Sequence, residues 1–374
     1  MAILGYRDTQ SLVLPAGWDA TALKKWENEA GLTYEQIAGE MNVALAALAA
    51  EMAGHPLWTS LISFTDRPEV RYASGASGAA VRFTEYSRTD PEFMSHTGHM
   101  LPLVPWHKML GWTWSVLRKM EIGDARDDVR SAIDAMRQAY RLAILNRILK
   151  RGDDSGVNNG LGTAGYSPGF ATAAATTNVD FTPPTYRGNS FDSNHEHYNT
   201  GTGGFTIDVF RDAKADLMEH GHMPPYDYII GLSDEQTVKA VTGFIPVGQQ
   251  LVNYGTLQDT AAPVRELVTD DGIRYIGTVE DFAVRVVPGI PQYYGFAWKN
   301  YGARAPKNPL RVRLEKGQSM PQVVAMTDPN AGSGISPLQH LMVYSEFGVG
   351  IGEDRTNGVV NYTNNATWAD GTAS

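Results

Sequence analysis

The stretch DARDDVRSAIDAMRQAYRLAILNRILK, residues 124–150, decides the reading of the chain. Val129, Ile133, Met136, Tyr140, Ile144 and Ile148 recur at intervals of three or four, which places them on one helical face. Asp124, Asp127 and Asp128 crowd the first turns while Arg147, Lys150 and Arg151 crowd the last, so the charges oppose the helix dipole. Gly152 supplies the stop. At 1.5 Å per residue such a helix extends about 40 Å, long enough to span a whole subunit.

On its N-terminal side, residues 19 to 54 read as helices. Thr33 and Gln36 have capping-box spacing, and Ile37, Met41, Leu45, Leu48 and Met52 form an apolar stripe. From about Glu69 to Ser115 the pattern turns to strands. Val81, Phe83 and Glu85-Tyr86 form one β-prone run, and Trp112 and Trp114 alternate with Thr113 and Ser115 in a second. The polar span Ser87–Leu103 lies between them, so the segment is expected to be a long two-stranded hairpin. An isolated ribbon is marginal in water, which predicts that it packs on another subunit.

On the C-terminal side, residues 152 to 204 are rich in Gly, Asn, Ser, Thr and Ala and carry little periodicity. So long an irregular segment is unusual inside a compact domain. It is expected to be disordered or held by neighbours. After Gly204 the pattern becomes mixed α/β: a helix over Phe205–His220, a buried strand at Tyr228–Ile230, a helix over Asp234–Val241, and strands at Arg274–Ile276, Phe282–Val287 and Leu310–Leu314. Leu341–Gly350 and Gly358–Tyr362 read as a final strand pair joined by Gly352–Asn357, and the last dozen residues as a tail.

Composition bounds the function. The 374 residues are 43% hydrophobic and 19% charged, ordinary for a chain that buries a core. A formal net charge of -10 argues against a surface built to grip phosphates. There are no cysteines, which excludes disulfides, thiolate metal sites and Cys nucleophiles and suits a reducing cytosol. The opening residues lack the pattern of a signal peptide, and no stretch stays apolar for about twenty residues, so a soluble, membrane-free protein is expected.

The order of these elements resembles that of the major capsid proteins of tailed double-stranded DNA phages, whose fold is shared with encapsulins and the herpesvirus capsid floor. The resemblance runs roughly from Pro56 to Tyr362. It is carried by Trp106–Trp114 leading into the 124–150 helix, by Tyr275–Val279 through Val284–Pro288, and by Val343–Gly350 to Val360. It implies an α+β chain with an N-terminal arm at 1–67, an extended hairpin loop at 68–115, and a spine helix with the following irregular loop at 116–204. An α/β axial domain at 205–335, and strands of a peripheral β-sheet with a C-terminal tail at 336–374, would complete it. The resemblance further implies hexamers and pentamers of a closed icosahedral shell in the virion, assembled in the host bacterial cytoplasm. Implied partners are a portal, a separate scaffolding protein and packaged DNA held by weak contacts only. Some relatives weld their shells through a hairpin Lys, but no Lys occurs between Trp26 and Trp106, so that cross-link is not expected.

Several short motifs resemble chemical signatures. Gly160-Leu-Gly-Thr-Ala-Gly165 matches a dinucleotide fingerprint but follows a helix rather than a strand, so no cofactor is expected. His195-Glu-His197 and His220-Gly-His222 have ligand spacing, yet zinc needs further ligands, and solvated histidines in a polar loop are the expectation, with no metal. Arg151-Gly-Asp153 falls at the end of the long helix, where Arg151 is expected to serve the helix terminus. No phosphate loop is present, and Asp153-Asp154, Asp270-Asp271 and Glu353-Asp354 read as solvated turns.

These readings converge on a shell subunit without catalytic residues. The candidate inter-subunit contact is the hairpin tip, where Arg88, Asp90, Glu92, His96 and His99 concentrate charge. The rivals are an encapsulin compartment enclosing cargo and a metal-dependent α/β enzyme using the His195 and His197 region.

Overall fold

A computed structural model describes residues 34–71, 98–113, 121–152, 195–247, 272–327 and 338–374, with 116, 119, 169–171, 183, 191, 267 and 268. The chain divides into two compact units, each assembled from separate stretches of sequence.

The first unit draws on Met1–His55, Val104–Arg141 and Gln318–Phe347. Helix α1, Tyr34–Gly54, buries Leu45, Leu48 and Met52, the described part of the predicted stripe. The long helix, Ile122–Leu149, contributes its first twenty residues here. Its buried positions in this unit are Val129, Ala132, Met136 and Tyr140, while Ile133 is only half-buried. The stripe is thus rotated slightly from the predicted one. Strand Val104–Thr113 pairs antiparallel with Leu338–Phe347, from Val104↔Phe347 to Thr113↔Leu338. Val324–Thr327 pairs with the opposite edge of that partner at Leu341–Tyr344. Phe347 organises the packing: Trp106 stacks on its ring at 5.4 Å, Tyr140 meets it edge-on at 5.2 Å, and Trp106 Nε1 donates to its carbonyl at 3.2 Å. Arg137 clamps Glu51 of α1 with two bonds of 2.7 and 2.8 Å, the bidentate geometry suited to a guanidinium.

The second unit draws on Pro56–Leu103, Leu142–Gly317 and Gly348–Ser374. In chain order its elements are helix α2, Pro56–Leu61, and strands β1, Ile62–Thr65, β2, Glu69–Arg71, and β3, Gly98–Met100. With the strand 104–113 as β4 and the long helix as α3, there follow β5, Tyr198–Thr200, α4, Ile207–Glu219, β6, Tyr226–Ile230, and α5, Glu235–Lys239. The rest are β7, Phe244–Pro246, β8, Leu267–Val268, β9, Arg274–Val279, β10, Phe282–Val286, β11, Tyr294–Lys299, and β12, Leu310–Leu314. Counting Val324–Thr327 as β13 and Leu338–Ile351 as β14, the last strand is β15, Val359–Tyr362.

Eight of these strands form one sheet in the order β5-β15-β11-β6-β10-β9-β7, with β8 also on β9. Strand β6 lies inside it, parallel to β10 and antiparallel to β11, and all five of its residues are buried. That explains the unbroken apolar reading at Tyr228–Ile230, since a strand covered on both faces loses its alternation. Helix α4 lays Phe210, Ala213 and Leu217 against Tyr228, Phe282, Val284 and Val286 to make the core. Gly295 is required because a Cβ there would run into the Tyr228 ring on the neighbouring strand.

Several expectations need correction. Leu341–Gly350 and Gly358–Tyr362 do become strands, but they do not pair with each other: β15 lies between β11 and β5. In the intervening 352–357 segment Glu353 and Asp354 are part-exposed, while Arg355 and Asn357 are fully buried. Asn357 Nδ2 donates to the carbonyls of Lys299 and Lys307 at 2.9 and 2.8 Å, and its Oδ1 accepts from Lys299 N at 2.8 Å. The C-terminal residues are not a loose tail either. Trp368 packs edge-on against Tyr198 at 4.8 Å, and Ala373 N donates to Asn146 at 2.7 Å. Finally, the end of α3 is capped by Arg147, whose Nη2 donates to the carbonyls of Lys150 and Gly152, while Arg151 pairs with Glu196. No helix among the described residues is long and apolar enough to cross a membrane.

Candidate functional site

Val81–Tyr86, the first β-prone run of the expected hairpin, lie outside the described residues. Among the described residues β2 meets β3 through Glu69↔Met100, Val70↔His99 and Arg71↔Gly98. Trp112 and Thr113 belong instead to β4, which follows β14. A β-prone run marks a strand but does not name its partner. The ribbon is anchored at this root, because Val70 and Leu101 are buried, Leu101 N donates to Pro68 O at 2.7 Å, and Arg313 donates to Leu101 O at 2.7 Å.

His99 was grouped with the tip charges, and here the structure differs. It is 5% exposed, and burial together with the guanidinium charges of Arg355, Arg147 and Arg311 holds its pKa down to about 3. It is a neutral residue at the hairpin base, not a tip charge. Its place two residues after Thr97, on the inward side of a three-residue strand, could not be read from a polar run. Arg88, Asp90, Glu92 and His96 lie outside the described residues. So do Gly160–Gly165 of the fingerprint-like motif.

In the first unit, β4 is paired along one edge only among the described strands. Pro105, His107, Lys108, Met109 and Gly111 are exposed on it. Such an edge is a template for pairing with another chain.

Of the four flagged histidines, two are buried rather than solvated and His195 and His220 are half-buried. His197 is fully buried and His222 is 3% exposed. Their placement follows from two strand and helix ends: His195 and His197 approach β5 from its N-terminal side, and Glu219 and His220 close α4. His222 stands apart, with Nδ1 2.7 Å from Tyr301 Oη and Nε2 2.9 Å from Thr356 Oγ1. His195, His197, Glu219 and His220 instead bring one donor atom each to within 4.8 Å of all the others. Burial is the main reason that His197 lies well below the ordinary histidine pKa and His220 is lowered to about 3, so both rings are neutral. Burial also pushes the Glu219 carboxyl up. Sequence reading flagged the histidines but missed Glu219; its only signal was its place beside His220 at a helix end.

No protein-family model matches the sequence. No curated protein matches it either. Solved structures do. A chain of Mycobacterium phage Patience aligns with a TM-score of 0.60 at 15% identity, covering 92% of each chain. An empty GTA particle capsid and the mature capsid of bacteriophage PhiM1 each give 0.48 at 12% identity, over 82% of this chain and 88% and 86% of theirs. The mixed helix-and-sheet chain has the fold of tailed-phage major capsid proteins.

Proposed function

We propose that this chain is the structural subunit of an icosahedral phage head, assembling with copies of itself into hexamers and pentamers around double-stranded DNA. The observation that carries this reading is the correspondence with a phage chain over 92% of both molecules, which leaves little of either chain outside the shared fold. The physical design supports it. The β2–β3 pair brings residues 71 and 98 together, and β4 is paired along one edge only among the described strands. Elements that are marginal alone become stable when a neighbour buries them.

Arg88, Asp90, Glu92 and His96 remain the proposed contact of the hairpin tip with a neighbouring subunit. The net charge of -10 supports weak rather than tight contact with the packaged DNA. A portal and a separate scaffolding protein complete the assembly, which takes place in the host cytoplasm and ends in the virion. The role is structural, not catalytic.

The reading is tested by purifying particles from infected or induced cells, digesting external nucleic acid and opening them. Protected double-stranded DNA supports the proposal. A protein cargo without DNA overturns it in favour of a cargo compartment.

A further inference from the structure

We propose that His195, His197, Glu219 and His220 form a structural site for a divalent transition-metal ion, with zinc the ion whose donor preference the set matches. The argument begins with the ring protons. His197 Nδ1 lies 2.9 Å from the carbonyl of Gly358, which can only accept, so the proton of that ring is on Nδ1. Its Nε2 therefore presents a lone pair. His195 Nε2 lies 3.1 Å from His197 Nε2, 2.8 Å from His220 Nε2 and 3.1 Å from Glu219 Oε1. An N–H on His195 Nε2 can point at only one of these three atoms, and His197 Nε2 has only a lone pair to offer. A cation at the centre satisfies all four atoms together.

The dimensions agree. Zinc binds imidazole nitrogen and carboxylate oxygen at about 2.0–2.2 Å, which makes the edge of a tetrahedral ligand set about 3.3 Å. The contacts around His195 are a few tenths of an ångström shorter than that edge, and His220 Nε2 to Glu219 Oε1, at 3.6 Å, is slightly longer. No two donor atoms are farther apart than 4.8 Å, so a small closing movement completes the set.

The surroundings also fit. The Gly358 carbonyl orients His197 in the manner of outer partners that fix a ligand's tautomer. Phe191 covers the rings of His195 and His220 at 4.8 and 4.2 Å, an apolar shield. The side chains of His195 and Glu219 keep 18% and 32% of their exposure, which leaves a route for the ion. Four protein ligands make a closed site, the mark of a structural rather than a catalytic metal. The ion would tie the segment before β5, the end of the long irregular stretch, to the end of α4.

The test uses the full chain and zinc itself. The protein as purified, then stripped with chelator and dialysed, is titrated with zinc while bound metal and melting temperature are measured. The expected results are one zinc per chain and a melting temperature raised by about 5–10 °C at saturating zinc. Cobalt in place of zinc should give the intense visible absorption of a tetrahedral site. A double substitution of the two part-exposed ligands, His195→Gln with Glu219→Gln, should abolish stoichiometric uptake while His222→Gln retains it. No uptake and no thermal shift in the stripped parent chain overturns the proposal, whatever the variants do. Equal uptake by the double variant overturns it as well.

Discussion

The eight-stranded sheet and the β2–β3 ribbon meet the need for burial in opposite ways. In the sheet, β6 has neighbours on both edges and no exposed residue. In the ribbon, only Val70 and His99 are buried, while Glu69, Arg71, Gly98 and Met100 are exposed around them. The sheet is stabilised from within the chain, whereas the described part of the ribbon buries only one side chain on each strand. A shell subunit needs both: a body that folds alone, and extensions whose burial is postponed to assembly.

The comparison breaks most visibly if the sheet can be damaged without loss of the fold. Val284→Asp places a carboxylate at a fully buried position between β6 and β9, with no cationic partner in the apolar core around it. Its cost of about 4 kcal/mol or more should abolish soluble protein. Soluble yield and far-UV circular dichroism check this.

How far this contrast could be read beforehand depended on what each segment buries. The 122–149 helix and the strands β6, β9, β10 and β12 were legible because the helix carries a local apolar period and the strands are short apolar or β-branched runs. Strand β5 was hidden: His195-Glu-His-Tyr-Asn-Thr200 is polar by composition, yet His197 and Tyr198 are buried there. The partners of β14 and β15 were equally hidden, because pairing between strands distant in sequence leaves no periodic trace. The candidate metal ligands were half legible for a related reason. The spacing of His195 and His197 is local, but their meeting with Glu219 and His220 depends on the fold.

A smaller effect sharpens the account of the ribbon's root. His99 has a folded pKa of about 3 against an ordinary value of 6.5, so stability is full above pH 6.5. As pH falls below that value, the unfolded chain takes up a proton that the folded chain refuses. Stability then drops by up to about 1.4 kcal/mol per pH unit for this group, until the folded pKa is reached. His99→Gln should lower the slope of stability against pH between 4 and 6 by that amount, measured from urea unfolding at several pH values. An unchanged slope would mean that His99 is not the buried neutral group described here.

The smallest effect belongs to the tip. Arg88→Glu or Glu92→Lys should leave the circular dichroism and melting temperature of the subunit unchanged, since exposed pairs contribute only about 0–1 kcal/mol each. Particle yield by sedimentation should nevertheless fall, because the same contact repeats at every subunit junction. Yields equal to the parent at both low and high salt would remove the tip from the assembly contacts.

Electron microscopy of the purified, unmodified protein tests the central claim most directly. The account predicts closed shells of uniform diameter with hexameric and pentameric units. A field of isolated monomers or small oligomers, under conditions where the chain is folded and a scaffolding protein is supplied, would contradict it.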